Sequence, residues 1–163
     1  MHEREQWLED AMKRYEQPLI RTCFAYLGDL ALAEDAVQET FLKAWKGYGQ
    51  YRGEASEKTW LMRIAINTCK DVRRSAYFRH IDRKTALESL PEGSAPFTHE
   101  DDSVLRAVMA LKPRFKEAVL LCWYQQLSAD EAAQALGVSR STLYSRLDKA
   151  RRILRKELEA WEK

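Results

Sequence analysis

Leu8, Met12, Tyr15, Leu19, Cys23 and Leu27 recur at three- to four-residue steps, the spacing of one apolar stripe on an α-helix. Pro18 falls inside that stripe. A proline there removes an N–H and crowds the preceding turn, so the pattern predicts a break near Gln17 and a restart with Pro18 in the first turn. Gly28 closes the second piece. A further helix is predicted over 30–46, with Ala33, Val37, Phe41, Ala44 and Trp45 facing inward. Gly47, Gly49 and Gly53 then mark a loop that also holds Tyr48, Tyr51 and Arg52. Ser56 is placed to cap a helix whose stripe is Leu61, Ile64, Ala65, Thr68 and Val72.

The periodicity stops over 77–102. Leu90-Pro91-Glu92-Gly93-Ser94-Ala95-Pro96 has two prolines, a glycine and no periodic apolar face, the mark of a flexible linker. Helical pattern resumes near 103 with Val104, Leu105, Val108 and Leu111, and restarts after Pro113 with Phe115, Val119, Cys122 and Trp123. No alternating strand pattern is found. The expected fold is all-α: a helical domain at 1–76, a linker at 77–102 and a second helical domain at 103–163.

Within the second domain, Ser128-Ala129-Asp130-Glu131 fits a capping box ahead of a short helix that buries Ala132, Ala133 and Leu136. Gly137 supplies a left-handed turn, and Ser139 can cap the helix that follows. That helix buries Leu143, Leu147, Ala150 and Leu154, and its opposite face carries Arg140, Ser141, Tyr144, Ser145, Asp148, Lys149 and Arg152. A short helix, a glycine turn and a second helix with a basic outer face make a helix-turn-helix, whose second helix fits the DNA major groove. Asp148 is anomalous there, because phosphate repels it unless it pairs with a cation or accepts from a cytosine amino group.

Charge supports this placement. The net charge is only +2, but residues 1–76 are balanced at 12 Lys/Arg against 12 Asp/Glu, while residues 103–163 carry 12 against 7. The three cysteines form no CxxC pair, and each falls at an apolar helical position, where a buried reduced thiol is expected. No metal-ligand spacing is present, and no cofactor fingerprint. The charged start, Met1 to Gln6, leads into no apolar signal core, and no apolar run is long enough to span a bilayer. A cytoplasmic protein without membrane insertion is expected.

The segments Ala33-Glu34-Asp35-Ala36-Val37-Gln38-Glu39-Thr40-Phe41 and Thr59-Trp60-Leu61-Met62-Arg63-Ile64-Ala65-Ile66-Asn67-Thr68-Cys69-Lys70-Asp71-Val72-Arg73-Arg74 resemble the hallmark stretches of the extracytoplasmic-function (ECF) sigma factors. These are the smallest sigma-70-type factors, and the helix-turn-helix resembles their fourth region. The resemblance spans nearly the whole chain, in order. It implies that Glu34, Asp35, Gln38 and Glu39 contact the clamp helices of core RNA polymerase. It implies that Tyr51, Arg52 and Gly53 belong to a strand-opening loop, with Asn67, Asp71 and Arg74 against the −10 element. Arg140, Ser141, Tyr144, Ser145, Lys149 and Arg152 would read the −35 element. The family more often has a glycine before Thr142 and a basic residue at 144. Tyr144 instead suits a thymine methyl or a phosphate, which points to a different promoter preference.

The resemblance also implies promoter DNA as a partner and an anti-sigma protein that sandwiches between the domains. On the helix-turn-helix alone, a stand-alone repressor or activator competes. Such proteins usually dimerise on two-fold operators, and the sequence has no dimerisation helix. An enzyme would need a Ser/His/Asp set, a metal cluster or a phosphate loop, and none is found.

Overall fold

A computed structural model of the chain describes residues 2–75 and 102–162, with backbone alone at 2, 102 and 160–162. Helix α1 (His2–Leu27) runs unbroken through Pro18, which corrects the expected break near Gln17. Helix-interior proline costs about 3 kcal/mol. Leu19, Cys23, Phe24, Tyr26 and Leu27 follow directly and are all at most 1% exposed, so burial beyond the proline outweighs that cost. Gly28 then turns left-handed (φ 75°) and its N–H bonds the Phe24 carbonyl at 2.7 Å.

Helix α2 (Leu30–Lys46) begins at Asp29, whose carboxylate accepts from the Leu32 N–H. It buries Ala33, Ala36, Val37, Thr40, Phe41 and Ala44. Trp45 is only half-buried, with the Arg4 guanidinium over its ring. Helix α3 (Glu57–Arg74) is capped by Ser56 as expected, but Met62, Ile66 and Cys69 are its deepest side chains along with Leu61 and Ala65. Ile64 and Val72 sit at the margin.

The second half contains α4 (Asp102–Met109), α5 (Pro113–Val119), a wide π turn over Leu120–Tyr124, α6 (Ala129–Leu136) and α7 (Arg140–Glu162). The π turn shifts the register, so Trp123, expected inside, is 38% exposed beneath the Arg151 guanidinium. Gln126 reverses the chain with a positive φ of 56°. The expected linker at 77–102 lies outside the described residues except at Asp102. Among the described residues there is no strand, and no helix is long and apolar enough to cross a membrane.

The two halves do not stand apart. α1 packs against α4, α5 and the π turn, and α3 packs against α6, so the core of each half continues into the other. Polar groups also cross this boundary. The Lys116 ammonium donates to the Tyr26 carbonyl at 2.9 Å, and the Tyr26 hydroxyl donates to Glu117 at 3.0 Å. The Gln125 amide donates to the Pro18 carbonyl and to Thr22.

Candidate functional site

Three surfaces carry the residues singled out in the sequence. On α2, Glu34, Asp35, Gln38 and Glu39 are all exposed and share one face, because steps of three and four return to the same side of a helix. A cleft of about 440 Å³ opens beside Glu34 and Gln38, with Met12, Phe41 and Leu42 among its walls. Met12 and Leu42 are 40% and 45% exposed. The acidic face is therefore bordered by unusually open apolar surface, which periodicity alone did not indicate.

The second surface is the loop between α2 and α3, which contains a short 3-10 turn at Tyr48–Gln50. Tyr51 stacks on Trp60 with ring centres 4.6 Å apart, and its hydroxyl donates to the Ala55 carbonyl. Trp7 of α1 meets both Tyr48 and Trp60 and donates from its indole N–H to Glu57 at 2.7 Å. Burial, and then the Glu57 charge, pushes the Tyr51 hydroxyl pKa up, so this ring stays neutral. Arg52 and Gly53 are exposed, and Gly53 has a φ of +75° that strains any side chain.

Tyr51 and Arg52 line a cleft of about 230 Å³ with Trp60 and Arg63, while Asn67 lies in a neighbouring cleft with Lys43 and Gln50. Asp71 and Arg74 fall outside both clefts. Asp71 instead faces Arg74 at 3.8 Å and Lys43 at 3.9 Å, exposed pairs of little energetic weight that partly neutralise a carboxylate on an otherwise basic edge. Arg63, exposed one turn before Asn67, lines the Tyr51–Trp60 cleft and is not among the residues singled out in the sequence; its place opposite the apolar stripe was the available signal.

The third surface is the helix-turn-helix. Ser128 and Glu131 form a reciprocal capping box, Gly137 is left-handed, and the Ser139 hydroxyl accepts from the Thr142 N–H. These devices set α7 so that Leu143, Leu147, Ala150 and Leu154 are buried while Arg140, Ser141, Tyr144, Ser145, Lys149 and Arg152 are exposed. Arg140 ion-pairs with Asp130 of α6 at 3.1 Å. Its hydrogen bond with Tyr144, then the Asp130 charge, raises its pKa further above the ordinary arginine value. Asp148, the anomaly of this face, pairs with Arg152 at 3.0 Å. The carboxylate is thereby screened within its own helix.

Residues 11–79 match the sigma-70 region 2 family model, and residues 101–154 match the sigma-70 region 4 model. Over 149 residues the chain is 34% identical to the ECF RNA polymerase sigma factor SigL of Mycobacterium tuberculosis, covering 86% of this chain and 82% of that protein. The chain belongs to the ECF RNA polymerase sigma factors. The sigma factor YlaC of Bacillus subtilis is 30% identical over 160 residues, which cover 93% of this chain and 91% of YlaC. The sigma factor RpoE of Bartonella quintana, solved with the anti-sigma factor NepR, shares the fold with a TM-score of 0.73. It is 22% identical, with 93% of this chain and 98% of that one covered. In this ECF factor the acidic α2 face and the aromatic loop fall in the region 2 match, and the helix-turn-helix in the region 4 match.

Proposed function

We propose that this ECF sigma factor binds core RNA polymerase and directs it to promoters, acting without catalysis or cofactor in the cytoplasm. Residues 1–76 hold polymerase and open the −10 element, 77–102 act as a linker, and 103–163 read the −35 element. The observation that carries this reading is the order of three exposed surfaces along one chain: an acidic helix face, an aromatic and glycine loop, and a basic helix-turn-helix.

Each surface has chemistry suited to its role. Glu34, Asp35, Gln38 and Glu39 offer carboxylates and an amide to basic residues of the clamp helices, and the apolar cleft beside them adds area to bury. The Tyr51–Trp60 stack gives an unpaired base a π-face, Arg52 offers a second stacking group, and Gly53 lets the backbone approach. Asn67, Asp71 and Arg74 continue along the same helix toward the −10 duplex. In α7, Arg140, Ser141, Tyr144, Ser145 and Lys149 face the major groove, and Arg152 reaches phosphate. Control by an anti-sigma protein, as named for RpoE, fits a factor whose acidic α2 face and basic α7 face are exposed.

Gel filtration with core polymerase tests the reading. Co-elution as a stoichiometric complex is expected. A chain that binds duplex DNA as a dimer and never joins core polymerase would instead be a stand-alone regulator.

A further inference from the structure

We propose that Glu57 is a positioning residue for strand opening: it fixes Trp7 of α1 as the back wall of the aromatic platform on which an unpaired base stacks. The inference rests on the reading of the 47–56 loop as the strand-opening element, and adds to that element a turn of α1 that the reading does not use. Four rings form one run across the loop. Tyr48 meets Trp7 with ring centres 5.0 Å apart, Trp7 meets Trp60 at 5.9 Å, and Trp60 stacks on Tyr51 at 4.6 Å. Tyr48 and Tyr51 belong to the loop and Trp60 to the start of α3, but Trp7 comes from α1. The region 2 match begins at residue 11, so this ring stands ahead of it.

Tilted ring pairs hold over a broad range of separations, so stacking alone does not fix where Trp7 stands. Its indole N–H does. That group donates to Oε1 of Glu57 at 2.7 Å, a hydrogen bond strengthened by the charge of the carboxylate. Glu57 is itself held in place. It is the first residue of α3, where the helix N-terminus favours a carboxylate, and its Oε2 accepts from the Tyr15 hydroxyl at 3.4 Å. Arg14 faces the same oxygen at 3.7 Å but is largely exposed and adds little. The carboxylate also acts on the loop itself, since its charge, after burial, raises the Tyr51 pKa. The consequence falls on opening rather than on binding. A base leaving the duplex is captured only by a ring face already in place, because ordering the platform at that moment would add to the barrier. Tyr48 opens the 3-10 turn and Tyr51 follows it, so Trp7 and Trp60 brace the two ends of that turn. The acidic face of α2 and the outer face of α7 do not involve Glu57.

Core polymerase loaded with each variant tests this on a promoter that the wild-type holoenzyme has selected from random sequence. A gel shift reads promoter binding, and the rate at which −10 thymines become reactive to permanganate reads opening. Glu57→Leu is expected to bind the promoter as the wild type does and to open it about tenfold more slowly, the weight of one stacked base. Glu57→Gln keeps an acceptor for the indole N–H and should restore most of the rate. Trp7→Phe keeps a ring and removes only the donor, so it too should open slowly, and no more slowly when combined with Glu57→Leu. It carries the test if Glu57→Leu does not fold. Opening at the wild-type rate by Glu57→Leu and Trp7→Phe, with Tyr51→Ala slow, would overturn the positioning role and keep the reading of the loop. Binding and opening that fall in parallel would make Glu57 a support of the fold only, which also overturns it. Opening at the wild-type rate by Tyr51→Ala would overturn the reading of the loop, and the role of Glu57 with it.

Discussion

The Tyr26 hydroxyl, at the end of α1, donates to Oε1 of Glu117 in α5 at 3.0 Å, joining residues 91 positions apart in a buried contact. Desolvation first, then the Glu117 charge, drives the Tyr26 pKa far above the ordinary tyrosine value, so the phenol stays a neutral donor throughout the accessible pH range.

Glu117→Ala should accordingly destabilise the fold far more than an exposed charge deletion, because the neighbouring cations remain where they are. Breaking a buried pair costs about 3–5 kcal/mol, and the partial exposure of Lys70 reduces this to about 2–3. For a chain of this size, a thermal melt should show a fall of roughly 4–12 °C. A fall under about 2 °C would mean the contact contributes little.

Asp35→Arg with Glu39→Arg should leave thermal stability within about 0.5 kcal/mol, since both side chains are exposed and, among the described residues, no hydrogen bond or ion pair is lost. Affinity for core polymerase should fall at least tenfold, with duplex DNA binding by α7 unaffected. Titration of labelled variant into core polymerase measures this, and unchanged affinity would move the contact off α2.

Lys149→Ala and Arg155→Ala should differ in kind. Lys149 lies on the outward stripe with Ser141, Tyr144 and Ser145, so its loss should change sequence preference at a cost of roughly 1–3 kcal/mol on the preferred duplex. Arg155 lies further along α7, and its loss should weaken all duplexes alike and lower the salt slope by about 1. Affinities for selected and scrambled duplexes across a salt series separate the two.

Glu131 gives an acid-sensitive contribution. The Ser128 backbone N–H, then hydrogen bonds from side chains including Thr59 and Ser56, holds its carboxyl below the ordinary glutamate value. A lowered folded pKa stabilises the fold above the unfolded value, about 4.3, and that contribution is lost as pH falls through the folded one. Glu131→Gln should therefore lower stability at neutral pH and shrink the loss on acidification. Parallel acid limbs in denaturant titrations of both proteins would contradict this.

Much of this architecture was legible in the chain. Ser56, Ser128, Gly137 and Ser139 each announced a cap or turn by residue type and spacing, and each occupies that role. The exposed stripe on α7 followed from period 3.6, whereas the acidic face of α2 was singled out by the family resemblance. Pro18 misled because local backbone cost was weighed without the burial of Leu19 through Leu27, which only tertiary packing supplies. The Lys116–Glu117 pair passed unread for a related reason: its partners, Tyr26 and Lys70, are remote in sequence. Trp123 was misplaced because a π turn changes register without leaving a mark in the hydrophobic pattern.

The most direct test of the central claim is reconstituted transcription. Core polymerase, with and without this protein, would be supplied with a library of random upstream sequences, and the 5′ ends of the transcripts sequenced. A set of start sites that depends on the protein, preceded by two shared elements at −35 and −10, is the result predicted here. Transcripts identical to those of core polymerase alone, with the protein folded and bound to neither core nor promoter, would contradict it.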